Sequence, residues 1–196
     1  MKTILTVILV ISVFASAIYL SFINNTKQLN SDPDSDSAIE SSESEKISNL
    51  SFSYRTSPDG YVLINDQINW PENIISSISL IKKLDYERSS QPEFVGEGPP
   101  SIVISVFKNP DLLNAKAWAE ANELPSNIEL IDSAPIPTEV GGVEGIYYLV
   151  LGLYLFDTYV FAHRDEIYLL SGGYYEKNDE YQRNFSEVMA TVVFEK

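Results

Sequence analysis

Polar and apolar positions alternate clearly from residue 50 onward. Phe52 and Tyr54 are interleaved with Ser51 and Ser53, the period-two pattern of a half-buried strand. Ser57-Pro58-Asp59-Gly60 places Pro and Gly where a turn takes them. The apolar run at 61–64 resumes the pattern, so the two segments are expected to pair as a hairpin. Trp70-Pro71 marks a bend, because the residue before Pro avoids the helical region. Ile78, Leu80 and Leu84 predict a third strand, and residues 89–100, rich in Pro and Gly, read as a loop. Ile102, Val103, Ile104, Val106 and Phe107 form a continuous apolar run and predict a buried strand.

The pattern then becomes helical. Asn109-Pro110-Asp111 has the order of an N-cap, a first-turn Pro and an acid at the positive end of the helix dipole. Leu112, Ala115, Trp118 and Ala119 would share one face of that helix, which should end near 122–125. Ile128, Leu130 and Ile136 form a weak strand broken by Pro135 and Pro137. Gly141-Gly142 and Gly145 lead into a strand at 146–151, and a long strand is expected at 153–163. His163-Arg164-Asp165-Glu166 turns the chain into a returning strand at 167–170. Asn178 is expected to cap a closing helix whose buried stripe is Tyr181, Phe185, Val188, Met189 and Val192. Strands dominate, and the two helices must lay their stripes on a sheet. The expected fold class is therefore α+β, a mainly antiparallel sheet flanked by α-helices, for a single domain at 47–196.

Upstream of the domain the pattern is of another kind. Residues 3–23 are 21 positions without a charge, after Lys2. As a helix they would be about 30 Å long, the thickness of a bilayer core. We read 1–23 as a signal anchor, with Lys2 inside and the domain outside the cytoplasm. Ala15-Ser16-Ala17 fits a cleavage site, so secretion after cleavage near Ala17 is the alternative. Residues 24–46 are Ser, Asp, Glu and Asn with two lysines against six carboxylates. Such a segment is expected to be a disordered, self-repelling spacer. Within it Asp32, Asp34, Asp36 and Glu43 have the spacing of positions 1, 3, 5 and 12 of a calcium loop. Ser37 stands where that loop needs Gly, and no amphipathic helix flanks it. The plain spacer is the preferred reading, and a calcium-responsive spacer is the alternative.

The chain carries 13 Lys and Arg against 28 Asp and Glu, net −15. A chain so charged repels nucleic acid and anionic lipid, and no basic stripe offsets it. Cysteine is absent, which removes disulfides, thiolate nucleophiles, Cys-based zinc sites and a lipid-modified Cys together.

Candidate chemistry is sparse. His163 is the only histidine, so a Ser-His-Asp triad would have to use it with Asp165 or Asp157, but no nucleophile elbow accompanies it. Asp165 and Glu166 could pair with another acid for glycoside chemistry, although neighbouring acids are expected in so acidic a chain. No phosphate-binding glycine motif appears. These observations lead to no enzyme, no cofactor and no catalytic residue, with a secreted hydrolase of unrecognised acidic site as the competing reading. The C-terminal third is rich in Tyr, a good strand residue that also offers stacking area and a hydroxyl. A ligand site, if one exists, is expected at Tyr174 and Tyr175 beside Gly172-Gly173, with the 91–100 loop as the second candidate. Envelope protein, peptide and glycan are the partner classes this would serve.

The order of elements resembles the PsbP/Mog1 fold family. The resembling residues are Phe52-Ser53-Tyr54, Trp70-Pro71, the 102–107 strand, Ala117-Trp118, Val143-Glu144-Gly145, Glu166-Ile167-Tyr168-Leu169 and the closing Phe185 and Val188-Met189. The resemblance spans roughly 50–194 and implies an antiparallel sheet between helix layers. Photosynthetic members support photosystem II and a nuclear member binds a small GTPase. Neither role has recognisable residues here, so the resemblance implies a non-catalytic accessory domain.

Overall fold

The computed structural model describes residues 41–57, 59–66 and 73–196. The apolar segment at 3–23, the spacer up to residue 40, Asp32, Asp34, Asp36 and Trp70-Pro71 lie outside the described residues.

Among the described residues, ten strands form two antiparallel sheets. The smaller holds β1 (Ser42–Ile47), β2 (Leu50–Arg55) and β10 (Val193–Phe194), with β2 in the middle. The larger has the order β3-β4-β5-β9-β8-β7-β6. Its strands are β3 (Tyr61–Asp66), β4 (Ile74–Lys82), β5 (Ser101–Lys108), β6 (Ile136–Val140), β7 (Val143–Leu151), β8 (Leu155–His163) and β9 (Glu166–Tyr174). The α-helices that connect or cover them are α1 (Lys83–Ser89), α2 (Ala115–Ala121), α3 (Glu123–Ser126) and α4 (Glu180–Ala190). A 3-10 turn occupies Ile128–Leu130.

Period two on the central strands divides the core in two. Ile102, Ile104, Val106, Phe161, Tyr168 and Leu170 point to one face, where Phe185, Val188 and Met189 of α4 and Leu50, Phe52 and Tyr54 of β2 meet them. Phe107, Val160, Ile167 and Leu169 point to the other, where Ala115, Trp118 and Ala119 of α2 cover them. Apart from Leu112, which is exposed, and Tyr181, which is half-buried, the expected helical stripes are thus buried on opposite faces of one sheet. The α4 helix approaches closely because Gly172 of β9 has no side chain: a Cβ there would lie 2.3 Å from Cγ of Phe185. At the β6–β7 turn Gly141 and Gly142 have φ of 59° and 78°. Two positive φ values in a two-residue turn match the right-handed twist of the flanking strands.

Several expectations are corrected. β2 and β3 do not form a hairpin: β3 pairs with β4 and β2 pairs with β1 and β10, so the turn at 57–60 hands the chain from one sheet to the other. The spacer does not extend to Lys46. Residues 42–46 belong to β1, which turns at Ser48-Asn49 and runs back along β2. An edge strand needs backbone partners more than apolar side chains. Here Ile47 is the buried anchor, while Ser44 meets Ser53 and Lys46 pairs with Glu195. The helix after β5 starts at Ala115 with Asn114 as its cap, not at Asn109. The Asn109 side chain instead closes a loop by bonding both N–H and C=O of Leu113, and leaves Leu112 exposed with φ of 50°. Leu84 lies in α1, a short helix the apolar pattern missed because none of its residues is buried. Ile128 and Leu130 form the 3-10 turn, and the strand begins only at Ile136, on the sheet edge where Pro137 is tolerated. Asp179, not Asn178, caps the closing helix.

Among the described residues no helix is long and apolar enough to cross a membrane.

Candidate functional site

Three clusters of polar and aromatic side chains stand out. The first is built on Asp157, in the middle of β8 and on the α4 side of the sheet. It is almost fully buried. Tyr147 of β7 donates to its Oδ1 at 2.7 Å, Tyr174 of β9 donates to the same oxygen at 3.1 Å, and Gln182 Nε2 of α4 donates to Oδ2 at 2.8 Å. Burial, then the adjacent carboxylate, pushes both tyrosine hydroxyls well above their ordinary value. A carboxylate with every oxygen occupied by a neutral donor ties three strands and a helix together.

The second cluster is Glu166, at the start of β9. Ser48 Oγ donates to it at 2.6 Å, Asn49 Nδ2 at 3.0 Å, and the Tyr168 hydroxyl also donates to it. Asn49 N–H in turn donates to the Tyr168 hydroxyl at 3.1 Å. This carboxylate docks the β1–β2 turn onto the large sheet. Burial alone would raise the Glu166 pKa, but the hydrogen bonds from Ser48, Tyr168 and Asn49 outweigh it and hold it below the ordinary 4.5. A depressed carboxylate stabilises the fold above its unfolded pKa and loses that contribution as pH falls through the folded value. Unfolding measured between pH 6 and 2.5 should therefore show wild-type stability falling below about pH 4.5. Glu166→Gln should be less stable at pH 6 and should lose less over the same acid range.

The third cluster is aromatic and lies where β9 gives way to α4. The ring of Tyr175 stands edge-to-face with Tyr154 at 5.3 Å and with Tyr181 at 5.5 Å. Asp179 fixes the Tyr175 backbone by accepting from its N–H at 2.9 Å. The hydroxyl of Tyr154 donates to the Gly98 carbonyl at 2.7 Å, which pins the Pro- and Gly-rich loop against the cluster. Tyr181 donates to Asp85 Oδ2 of α1 at 2.5 Å. Lys82 Nζ lies 5.1 Å from the Tyr181 ring centroid and 2.5 Å from Glu180 Oε1. Burial, then the neighbouring Tyr175 and the carboxylate of Glu97, raise the Tyr154 hydroxyl to about 12.

The expected site residues separate. Tyr175 is 58% exposed, whereas Tyr174 is 2% exposed and belongs to the Asp157 cluster, because successive strand residues face opposite ways. Gly172 and Gly173 lie inside β9 rather than beyond it. The 91–100 loop does reach Tyr175, through Tyr154. Glu43 lies in an extended strand and accepts from the Tyr54 hydroxyl at 3.1 Å, not in the loop that the calcium reading needs. Among the described residues no group of three His, Asp or Glu side chains could hold a metal ion.

His163 Nε2 lies 2.8 Å from the Glu195 carbonyl oxygen, and its ring packs 5.3 Å from Phe194. Asp157 sits six positions earlier on the same strand, about 20 Å away at the usual rise. The two do not form a dyad.

The partners Lys82 and Asp85 carry no motif, since the Tyr181–Asp85 bond joins residues 96 positions apart. Only the three-dimensional pairing shows which of the many tyrosines gather.

No protein-family model matches the chain, and no curated protein matches it significantly. Solved structures do. One from Bacteroides thetaiotaomicron is 13% identical over 76% of this chain, with a TM-score of 0.41; the match spans only 46% of that chain. The solution structure of cyanobacterial PsbP from Synechocystis is 10% identical, with a TM-score of 0.53 over 83% of this chain and 98% of that one. The described domain has a PsbP-like α+β fold.

Proposed function

We propose that the chain is a non-catalytic accessory domain, tethered by residues 1–23 and held outside the cytoplasmic membrane. One observation carries the non-catalytic part. Three of the candidate acid–base groups, Asp157, Glu166 and His163, are engaged by the scaffold, which supports this reading. Asp157 accepts from three side chains, Glu166 holds the β1–β2 turn, and His163 meets a backbone carbonyl. A general base must reach a substrate proton directly or through one water, and these groups reach their own chain instead. The location rests on the apolar run at 3–23 and the acidic spacer that follows it.

The competing hydrolase reading is tested with the full chain in neutral detergent and chromogenic ester, phosphate and glycoside substrates. We expect rates equal to buffer. A rate above buffer that Asp157→Asn, Glu166→Gln or His163→Ala abolishes, in a variant that still melts cooperatively, would overturn the proposal.

A further inference from the structure

The Asp157 and Glu166 clusters are internally satisfied and offer a ligand nothing. The tyrosine corner differs, because it presents an exposed, rigidly held ring whose neighbours are electron-rich and whose rim is acidic.

Tyr175 cannot swing freely. Its N–H and that of Glu176 both donate to Asp179 Oδ2, at 2.9 and 3.3 Å, and its ring is wedged between Tyr154 and Tyr181. Both flanking hydroxyls donate, Tyr154 to a carbonyl and Tyr181 to a carboxylate. A phenol that donates a hydrogen bond places more electron density in its ring, which strengthens the negative face that attracts cations. Asp85, Glu97, Asp179 and Glu180 act electrostatically on these three rings, against Arg88 and Lys82 on the positive side. The corner therefore shares the sign of a chain with net charge −15.

The corner also shows how it accommodates a cation. The Lys82 ammonium, its side chain only 14% exposed, sits over the Tyr181 ring and against Glu180. An aromatic face flanked by a carboxylate is already occupied by one of the chain's own ammonium groups. Tyr175, the exposed member of the same cluster, leaves more than half of its surface open to solvent. A large exposed Tyr at a fixed angle is also the residue type that anchors protein contacts.

We propose that the Tyr154–Tyr175–Tyr181 corner binds the lysine or arginine side chain of a basic peptide segment. The ligand class rests on the accessory-domain reading. The site itself does not depend on where the chain is located, so its failure would leave the location untouched.

The test uses the full chain in neutral detergent micelles and the peptide acetyl-Gly-Lys-Gly-Lys-Gly-amide, followed by the ring-proton NMR signals of the three tyrosines. We expect saturable shifts at these rings in the millimolar range. Tyr175→Ala should weaken binding a few-fold, as expected for one exposed cation–aromatic contact. Lys82→Met, which removes the ammonium that competes at the Tyr181 ring, should tighten it. That gain is a change in the direction a merely structural role would not give. Acetylating both peptide lysines should abolish the shifts.

Equal binding by the acetylated peptide, or by Tyr175→Ala, would overturn the proposal. So would larger shifts of the same rings with chitotriose, which would make the corner a sugar platform. Shifts produced only by phosphatidylcholine vesicles would overturn it as well, in favour of a lipid headgroup.

Discussion

Phe185→Ala is expected to destabilise the domain by about 4 kcal/mol, the range for removing a fully buried aromatic ring. Phe185 is 1% exposed and packs against Tyr159 with ring centroids 5.9 Å apart. It is also the residue through which α4 rests on the bare backbone of Gly172. In a domain of this size the loss should lower the melting temperature by roughly 10 °C. The same contact predicts the reciprocal substitution. Gly172→Ala puts a Cβ 2.3 Å from Cγ of Phe185 and 2.8 Å from its Cβ, so the helix must lift off the sheet. Overpacking of this kind costs about 1–3 kcal/mol. The decisive readout is the double variant. With Phe185 truncated, the close contacts of the new methyl with Cγ and Cδ1 of the ring are gone, and only the one with the remaining Cβ must be relaxed. Thermal unfolding of the four proteins should therefore give a double-variant loss clearly smaller than the two single losses added together. Strict additivity would mean that α4 does not sit on Gly172.

The second large effect belongs to the opposite face. Trp118→Ala should cost about 3–5 kcal/mol. Trp118 is fully buried beneath α2 and packs against Phe107 with centroids 4.9 Å apart. The helix that carries it is only seven residues long, held at its start by Asn114 accepting from the N–H of Ala117. So short a helix has little stability of its own and depends on its packed face. Amide hydrogen exchange should accordingly show loss of protection concentrated in Ala115–Ala121 and in β7 and β8, with β2 and α4 retaining theirs. Trp118→Phe should recover most of the stability. Uniform loss across both faces would indicate one inseparable core instead of two.

These two cores were partly readable in the residues. The strands at 102–107 and 146–151 are continuous or alternating apolar runs, and the stripes Ala115, Trp118, Ala119 and Phe185, Val188, Met189 have helical spacing. Burial writes such patterns directly into sequence. Strand pairing does not. Residues 50–55 and 61–66 look like two arms of one hairpin because the turn between them has the right residues, yet each finds its partner elsewhere. β1 was invisible for a related reason. An edge strand is held by backbone hydrogen bonds, and Ser42 to Lys46 read as solvated chain. Caps shifted by local competition: Asn109 has the chemistry of an N-cap but spends it on Leu113, and Asn114 does the capping five residues later.

The candidate site was legible only at Tyr175 and in the 91–100 loop, which reaches it through Tyr154. Its neighbour Tyr174 followed the strand alternation into the interior. Lys82 and Asp85 come from the β4–α1 junction, far away in sequence, and no periodicity links them to Tyr181. Glu166 carried the opposite error. An acid beside a histidine at a hairpin end invites a chemical reading, while its actual partners are the hydroxyls and amide that dock the β1–β2 turn.

We propose that this PsbP-like domain works as an accessory module outside the cytoplasmic membrane, held there by its own N-terminus. The most direct measurement fuses alkaline phosphatase, which is active only after export, to the C-terminus of the full chain in a bacterial host. Our account predicts strong phosphatase activity that stays in the membrane fraction after carbonate extraction, and loss of activity when residues 3–23 are deleted. An inactive fusion that accumulates in the cytoplasm would contradict it.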